Sequence, residues 1–165
     1  MRTGNFWWLA AVIAAHDGMR VVGRTRLQKT MKLLQRLGLP TDYRFSIFFY
    51  GPYSEGVFGD SRLLQQMGLI SEQERAGGDG APHFEMTARP EAVMEEMARW
   101  RPAIDAMQEA DLVVLELAAT YDAFREMGSD HEEAVARLKH KKASRWTEER
   151  HARALELLRR LGLPS

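Results

Sequence analysis

Histidine and the acidic residues, which most often perform catalysis, occur in this sequence without a catalytic spacing. No GxSxG, P-loop or HExxH pattern is present, and the intervals between the histidines fit no metal-binding motif. Glu95 and Glu96 are adjacent on a predicted helix, so their side chains point in different directions and do not form an acid–base pair. We therefore expect no catalytic residues, no cofactor and no metal site. The histidines are His16, His83, His131, His140 and His151.

The lack of cysteine excludes several further kinds of site. Without a thiol the sequence cannot form a disulfide framework, a zinc ribbon or a thiol nucleophile, and a reducing compartment fits this composition. The apolar run near the N-terminus is about ten residues long, which is too short to span a membrane. No small-residue cleavage site follows it. The sequence thus predicts a cytoplasmic protein with a buried first helix and no contact with a membrane.

Lysine and arginine form two clusters that could contact the phosphates of nucleic acid. The first lies on a predicted helix at 24–37, and the second lies near Trp146, whose ring could stack on a base. Apolar residues recur at helical spacing on the first helix, so we expect Lys29, Lys32 and Arg36 to face outward. The candidate nucleic-acid-binding residues are Arg24, Arg26, Lys29, Lys32, Arg36, Lys141, Lys142 and Arg145.

The net charge is zero, but the charges are unevenly distributed along the chain. Residues 1–54 contain 8 basic and 2 acidic residues, residues 55–135 contain 6 and 18, and residues 136–165 contain 9 and 3. Two interpretations stay open. The basic ends either pair with the acidic middle as ordinary surface charge, or leave one basic face free for a polyanion.

The stretch FSIFFYGPYS, residues 45–54, combines an aromatic-rich extended segment with a predicted turn at Gly51 and Pro52. In one interpretation its aromatic side chains pack a tight turn into the core. In the other they form a rigid aromatic surface that a protein partner binds, because aromatic anchors often dominate protein interfaces. The candidate partner-binding residues are Tyr50, Gly51, Pro52, Tyr53 and Glu55.

Helix boundary signals place most of the secondary structure. Thr25 with Gln28, and Ser129 with Glu132, have the spacing of capping boxes. Thr147 precedes two glutamates, as an N-cap with an acidic first turn does. The phrase LGL or its close variant ends three predicted helices, where the glycine can adopt the left-handed conformation of a helix stop.

The order of the elements predicts a mainly α (α+β) fold. Two helices, a third helix that stops at Gly68, and a β-hairpin near 69–87 follow one another in the order of a winged helix. We expect a winged-helix-like N-terminal domain with a small β-hairpin wing at residues 1–90. A C-terminal helical bundle at 91–165 is expected to pack on it.

Pro90 is expected to open the first helix of this C-terminal part, as proline can in a first turn. About three more helices are expected after Pro102. The stretch 110–124 is apolar on more than one face, so it is either the centre of the bundle or a homodimer contact.

The helix and wing that usually read DNA are acidic in this sequence. The helix predicted from Ser54 to Met67 carries Glu55 and Asp60 near its start, and acidic residues outnumber basic ones in the wing. Acidic groups that face phosphate oppose the release of counterions that drives binding. We therefore expect this helix and wing not to bind DNA in the usual mode.

Two segments of the sequence resemble a known group of proteins. GRTRLQKTMKLLQ (residues 23–35) and YGPYSEGVFGDSRLLQQMGLI (residues 50–70) are similar to the uncharacterised YwgA-like bacterial proteins and, more distantly, to the SocA-like Panacea antitoxin domain. The shared features are a Leu-Gln-Lys helix start, an aromatic-Gly-Pro turn and a helix that ends in Gly-Leu-Ile. The resemblance covers roughly residues 5–90 and implies a helical, winged-helix-like domain without catalysis, associated with toxin neutralisation, mobile elements or phage conflict.

Two functions from different classes follow. The preferred hypothesis is a non-enzymatic protein-interaction module of the YwgA or Panacea-like kind, acting in bacterial toxin control or phage defence. The alternative is a winged-helix nucleic-acid-binding regulator that uses the basic helix 24–37 instead of the usual recognition helix.

Overall fold

A computed structural model describes residues 4–77 and 81–165, and within these ranges the chain is mainly helical with small antiparallel sheets. Part of the predicted glycine-rich turn, residues 78–80, lies outside the described residues. The helices are α1 (Asn5–Ala14), α2 (Arg24–Arg36), α3 (Glu55–Gln66), α4 (Arg101–Glu109), α5 (Leu112–Glu126), α6 (His131–Lys141) and α7 (Glu148–Leu161). The strands are β1 (Arg20–Val22), β2 (Ser46–Phe48), β3 (Gly51–Tyr53), β4 (Ile70–Ala76) and β5 (Pro82–Ala88).

The larger sheet has three antiparallel strands in the order β1-β5-β4. The predicted hairpin near 69–87 is confirmed, with Ser71 opposite Thr87. Strand β1 was not predicted, because three residues are too few to show an alternating pattern. Val21 of β1 lies opposite Met86, and both side chains are buried against the helices.

The smaller sheet is a hairpin of β2 and β3, and it corrects the prediction for the stretch at 45–54. Gly51 and Pro52 do not form the turn, since they lie in β3 opposite Phe48 and Ile47. The chain reverses instead at Phe49 and Tyr50. The aromatic residues therefore occupy the end of a hairpin.

Helix α5 is the centre of the protein. Its side chains from Val114 to Phe124 are buried, and it packs on α2, α6, α7 and β3. The first interpretation of 110–124, the centre of the bundle, is confirmed. The chain's own elements already cover the side chains of residues 114–124, and a homodimer contact through 110–124 stays a prediction.

The helix starts were predicted with mixed success. Ser54 and Thr147 are N-caps whose hydroxyl oxygens accept hydrogen bonds from Val57 N and Arg150 N. The capping boxes predicted at Thr25 and Ser129 were wrong. Helix α2 begins at Arg24 after Gly23, and α6 is capped by Asp130, one residue after Ser129. Gln28, the expected capping residue of α2, instead makes hydrogen bonds to the backbone of Ser54.

The predicted helix stops are confirmed. The glycines of the three LGL-type phrases have positive φ angles, as the left-handed stop requires. The leucine after each glycine donates its N–H to a carbonyl five residues earlier in the helix, for example Leu163 to Leu158.

The segment after Pro90 differs from the prediction. It contains only the short 3-10 turns Pro90–Ala92 and Glu95–Trp100 before α4 begins at Arg101. Four α-helices follow instead of three. One buried apolar cluster includes residues from both sides of residue 90, such as Leu9 and Leu158, and the domain boundary at this position stays a prediction. Within the described ranges, no helix combines the length and apolar character needed to cross a bilayer.

Candidate protein-binding site

Three consecutive aromatic residues, Phe48, Phe49 and Tyr50, lie at the end of the β2–β3 hairpin and form what we call the aromatic tip. Their exposed fractions are 51%, 78% and 46%. The rings of Phe49 and Tyr50 meet edge to face with centroids 4.9 Å apart, and Phe48 meets Tyr53 in the same way at 5.5 Å. Contiguous exposed apolar surface of this kind marks an interaction site more often than a single exposed residue does.

Two glutamines of α2 hold the base of this hairpin. Gln28 donates its side-chain N–H to Ser54 O (3.0 Å) and accepts from Ser54 N (2.8 Å). Gln35, two turns later, donates to Tyr43 O (2.9 Å) and accepts from Tyr43 N (2.9 Å). Each side-chain amide thus satisfies one residue's backbone donor and acceptor, and together they fix both ends of the segment 43–54.

Two buried lysines bind the hairpin from beneath. Lys29 Nζ donates to Pro52 O (2.7 Å), and Lys142 Nζ donates to Phe49 O (3.1 Å). The two lysines are 2% and 3% exposed. Burial lowers the pKa of Lys29 to about 8 and also lowers the pKa of Lys142. The aromatic tip is therefore attached to a polar support inside the protein.

The expectation that Lys29 and Lys32 face outward is wrong. Lys32 is 5% exposed, and its Nζ lies 3.3 Å from Asp122 Oδ2 and 2.8 Å from Glu126 Oε1. Arg36 is half-buried, with Nε 3.0 Å from the same Asp122 oxygen. The helical pattern placed the apolar side of α2 correctly, but α5 and the hairpin cover the polar side too.

The other predicted nucleic-acid-binding arginines of α2 are also engaged within the chain. Arg24 makes a bidentate ion pair with Glu72, and its guanidinium lies 3.8 Å from the ring centroid of Phe84. Arg26 donates to the carbonyl oxygens of Met107 and Ala110.

In the second basic cluster, Arg145 Nη1 lies 2.6 Å from Glu116 Oε2, and Lys142 Nζ lies 3.8 Å from the same oxygen. Arg145 also lies over the ring of Tyr50, 4.8 Å from its centroid. Lys141 is half-buried. Trp146, the expected stacking residue, is itself half-buried and packs beside His151.

These ion pairs join the basic ends of the chain to its acidic middle. The acidic partners Glu72, Glu116, Asp122 and Glu126 all belong to residues 55–135. The first interpretation of the uneven charge, pairing within the protein, is confirmed for these residues.

Of the five candidate partner-binding residues, some lie at the surface and others are buried inside the hairpin. Tyr50 and Glu55 are exposed, Tyr53 is half-buried, and Gly51 and Pro52 are buried. Gly51 has φ +95°, and a Cβ atom there would collide with Thr120 Oγ1. Gly51 and Pro52 thus shape the hairpin from inside, whereas Tyr50, Tyr53 and Glu55 are available at the surface.

A groove of about 290 Å³ separates the aromatic tip from α2 and α3, and we call it the hairpin groove. Its wall is largely aromatic, and Lys29 contributes to its lining. Phe58 closes the α3 side. The lining residues are Arg24, Thr25, Gln28, Lys29, Phe48, Phe49, Tyr50, Gly51, Tyr53 and Phe58.

The histidines are dispersed. His16 is buried and its Nδ1 lies 2.7 Å from Val12 O, while burial lowers its pKa. His131 Nδ1 lies 2.7 Å from the hydroxyl of Tyr121. Among the described residues no group of three or more His, Asp or Glu could hold a metal ion.

A comparison with known proteins supports one part of the resemblance. No family model matches the chain. The chain is 26% identical over 151 residues to a protein of Bacillus subtilis (strain 168) named "Uncharacterized protein YwgA". This match covers 88% of the chain and 90% of that protein, so the similarity extends well beyond residues 5–90. The similarity to the Panacea antitoxin domain stays a prediction.

Proposed function

We propose that this protein is a non-enzymatic protein-interaction module that binds a partner through the aromatic tip. The observation that carries this proposal is the exposure of Phe48, Phe49 and Tyr50 on a hairpin whose backbone is fixed from inside. Aromatic residues bury a large area with little loss of conformational entropy, and a preorganised surface binds more tightly than a mobile one.

Four side chains support the rigid attachment of this surface. Gln28 and Gln35 satisfy the backbone of the two ends of the segment, and Lys29 and Lys142 bind carbonyl oxygens within it. A hairpin that served only to connect α2 and α3 would not need an exposed aromatic end. The resemblance to the YwgA-like proteins and to the SocA-like Panacea domain leads us to place this activity in bacterial toxin control or phage defence.

Site-specific photocrosslinking tests the proposal. A photoreactive phenylalanine analogue is placed at position 49, and a matched control carries it at position 93, where Val93 is exposed and lies outside the hairpin. In cells of the native host we expect a discrete crosslinked protein from position 49 and not from position 93. The captured protein is then purified and its affinity for the wild-type chain is measured.

The same partner allows an energetic test. Phe49→Ser should weaken binding by about 2 kcal/mol or more, while Val93→Ser should leave it unchanged. The melting temperatures of both variants should stay close to that of the wild type, because both side chains are exposed. Equal affinity of Phe49→Ser and wild type would refute the proposed surface.

Nucleic-acid binding remains the second candidate, and the strand order favours keeping it. The order α1, β1, α2, α3 and the β4–β5 hairpin, with β1 paired to β5, supports a winged-helix interpretation, although the β2–β3 hairpin is inserted between α2 and α3. Winged helices are common in DNA-binding proteins. The cations of helix 24–37 support nucleic-acid binding less than the sequence indicated, because all five of them contact other residues of the chain. They are Arg24, Arg26, Lys29, Lys32 and Arg36.

Fluorescence anisotropy with duplexes of unrelated sequence distinguishes the candidates. We expect weak binding that is independent of sequence and falls steeply with salt, since contacts to phosphate alone release counterions without reading bases. Nanomolar binding of one sequence at physiological salt would favour the regulator over the protein-interaction module.

A further inference from the structure

The buried polar support beneath the hairpin contains more positive than negative charge. Lys29, Lys142 and Arg145 meet there, and Glu116 is the carboxylate that pairs with this cluster among the residues that the structure describes. Glu116 is 2% exposed, as deeply buried as the two lysines. Buried charges are normally balanced by partners, because removing an ion from water costs several kcal/mol. An excess of buried cations therefore favours an anion from outside the chain.

Lys29 is the member of this cluster that reaches the hairpin groove. It belongs to the lining of the groove together with the aromatic residues. A lysine ammonium has three N–H donors, and within the described residues Lys29 Nζ makes one hydrogen bond, to Pro52 O. Donor capacity thus remains on a residue that lines a groove with a largely aromatic wall.

The nearby cations differ in how far they are already neutralised. Arg24 lines the groove but is held by the bidentate pair with Glu72. Arg145 is held by Glu116 at 2.6 Å. Lys29 lacks such a close carboxylate among the described residues, so it is the cation that a ligand can neutralise.

We propose that the hairpin groove binds the carboxylate of an acidic side chain of the protein partner, with Lys29 as its counter-charge and the aromatic tip covering the apolar residues beside it. This inference rests on the proposed function and names the chemistry of the partner. A carboxylate is favoured over a phosphate because Lys29 is the one lysine among the described residues that line this small groove. Phosphate carries more charge to desolvate and is bound best by free, bidentate arginine.

The charged and titratable groups around Lys29 are consistent with this assignment. Glu116 on α5 raises its pKa, whereas Lys141 and Lys142 at the end of α6 lower it, and burial lowers it most. A carboxylate bound in the groove would add a second negative charge and would favour the protonated form of Lys29.

Blocked tripeptides provide the test. The probes are acetyl-Leu-Glu-Leu-amide and its neutral isostere acetyl-Leu-Gln-Leu-amide, titrated into the full ¹⁵N-labelled chain at neutral pH. We expect the glutamate probe to bind about tenfold more tightly, the ratio expected of a charge-assisted hydrogen bond. Its largest shifts should occur at the backbone amides of 48–53. Equal affinity of the two probes would overturn the proposal.

Substitutions test whether Lys29 produces the preference for the glutamate probe. Lys29→Met should remove the preference for glutamate, whereas Lys139→Met, which removes an exposed lysine of α6, should keep it. If Lys29→Met does not fold, the wild type at about pH 9.5 provides the same comparison, because Lys29 is then mostly neutral. A preference that persists in Lys29→Met, or at the higher pH, would place the anion elsewhere and overturn the assignment.

Two further probes test whether the groove prefers another anion to the carboxylate of an acidic side chain. A phosphoserine tripeptide or a peptide with a free C-terminal carboxylate that binds more tightly than the glutamate probe would contradict the choice of an acidic side chain. Failure of all peptides while position 49 still crosslinks to a partner would reject this inference alone. Loss of the position-specific crosslink would reject the proposed function itself.

Discussion

The side-chain amide of Gln28 takes the place of a neighbouring strand for Ser54, since it binds both the N–H and the C=O of that residue at 2.8 and 3.0 Å. Both residues are buried. Ser54 in turn caps α3 with its hydroxyl. One side chain of α2 therefore joins the end of the aromatic hairpin to the start of the next helix.

Gln28→Glu should destabilise the protein although it changes the shape of the side chain very little. A carboxylate cannot donate a hydrogen bond to Ser54 O, and it leaves that buried carbonyl unsatisfied while adding a buried charge. We expect the free energy of unfolding to fall by about 2 kcal/mol or more, measured by urea denaturation. Gln66→Glu is the control, because Gln66 is exposed at the end of α3, and its change should stay within about 0.5 kcal/mol.

Glycine at position 51 is required by both conformation and space. Gly51→Ala should destabilise the protein by about 2 kcal/mol or more, because a Cβ is strained at φ +95° and meets Thr120 Oγ1. Gly59→Ala is the matched control within α3: its Cβ would meet open space, and alanine favours a helix by about 0.5–1 kcal/mol over glycine. Thermal denaturation should thus show opposite shifts, and a neutral Gly51→Ala would contradict the close contact.

Much of the fold was predictable from the sequence because it depends on local signals. The helix stops at the LGL-type phrases and the Thr147 cap are short-range features of the backbone. The long hairpin near 69–87 shows strand pattern on both sides of a glycine-rich turn. Strand β1 was not predictable in this way, since three residues pair with a strand more than sixty positions away.

The candidate site was less predictable, because its polar contacts join distant parts of the chain. The sequence drew attention to the Leu-Gln-Lys phrase and to the aromatic stretch, but assigned Gln28 to a helix cap and Lys29 to solvent. Helical periodicity reports which side of α2 is apolar, and it cannot reveal that α5 and the hairpin cover the opposite side. Two glutamines seven residues apart, Gln28 and Gln35, were the available signal for paired amide contacts.

Asp122 is the buried centre of the second ion network. Its side chain is fully buried, and its Oδ2 contacts both Lys32 and Arg36. Asp122→Asn removes the charge and leaves two cations with the partly exposed Glu126, so we expect a loss of about 3–5 kcal/mol in the free energy of unfolding. Glu126→Gln should cost about 1 kcal/mol or less, because the Glu126 side chain is 49% exposed. Equal effects in denaturant titrations would contradict the unequal burial.

The buried lysine beneath the hairpin should make stability depend on pH. In the folded protein the pKa of Lys29 is about 8, below its ordinary value of 10.5, because burial and the neighbouring Lys141 and Lys142 outweigh the attraction of Glu116. Between these two values the unfolded chain binds more protons than the folded one, so stability rises as the pH increases.

Relative to Lys29→Met, we expect the free energy of unfolding of the wild type to rise between pH 8 and pH 10.5 by a few kcal/mol, on the order of 3. Below pH 8 the difference between the two proteins should be constant, because Lys29 is then protonated in both states. The variant also loses the donor to Pro52 O, which changes its stability by an amount that does not depend on pH. Lys139→Met should follow the wild-type profile, since Lys139 is exposed. Parallel profiles of wild type and Lys29→Met would show that Lys29 is not desolvated by the hairpin.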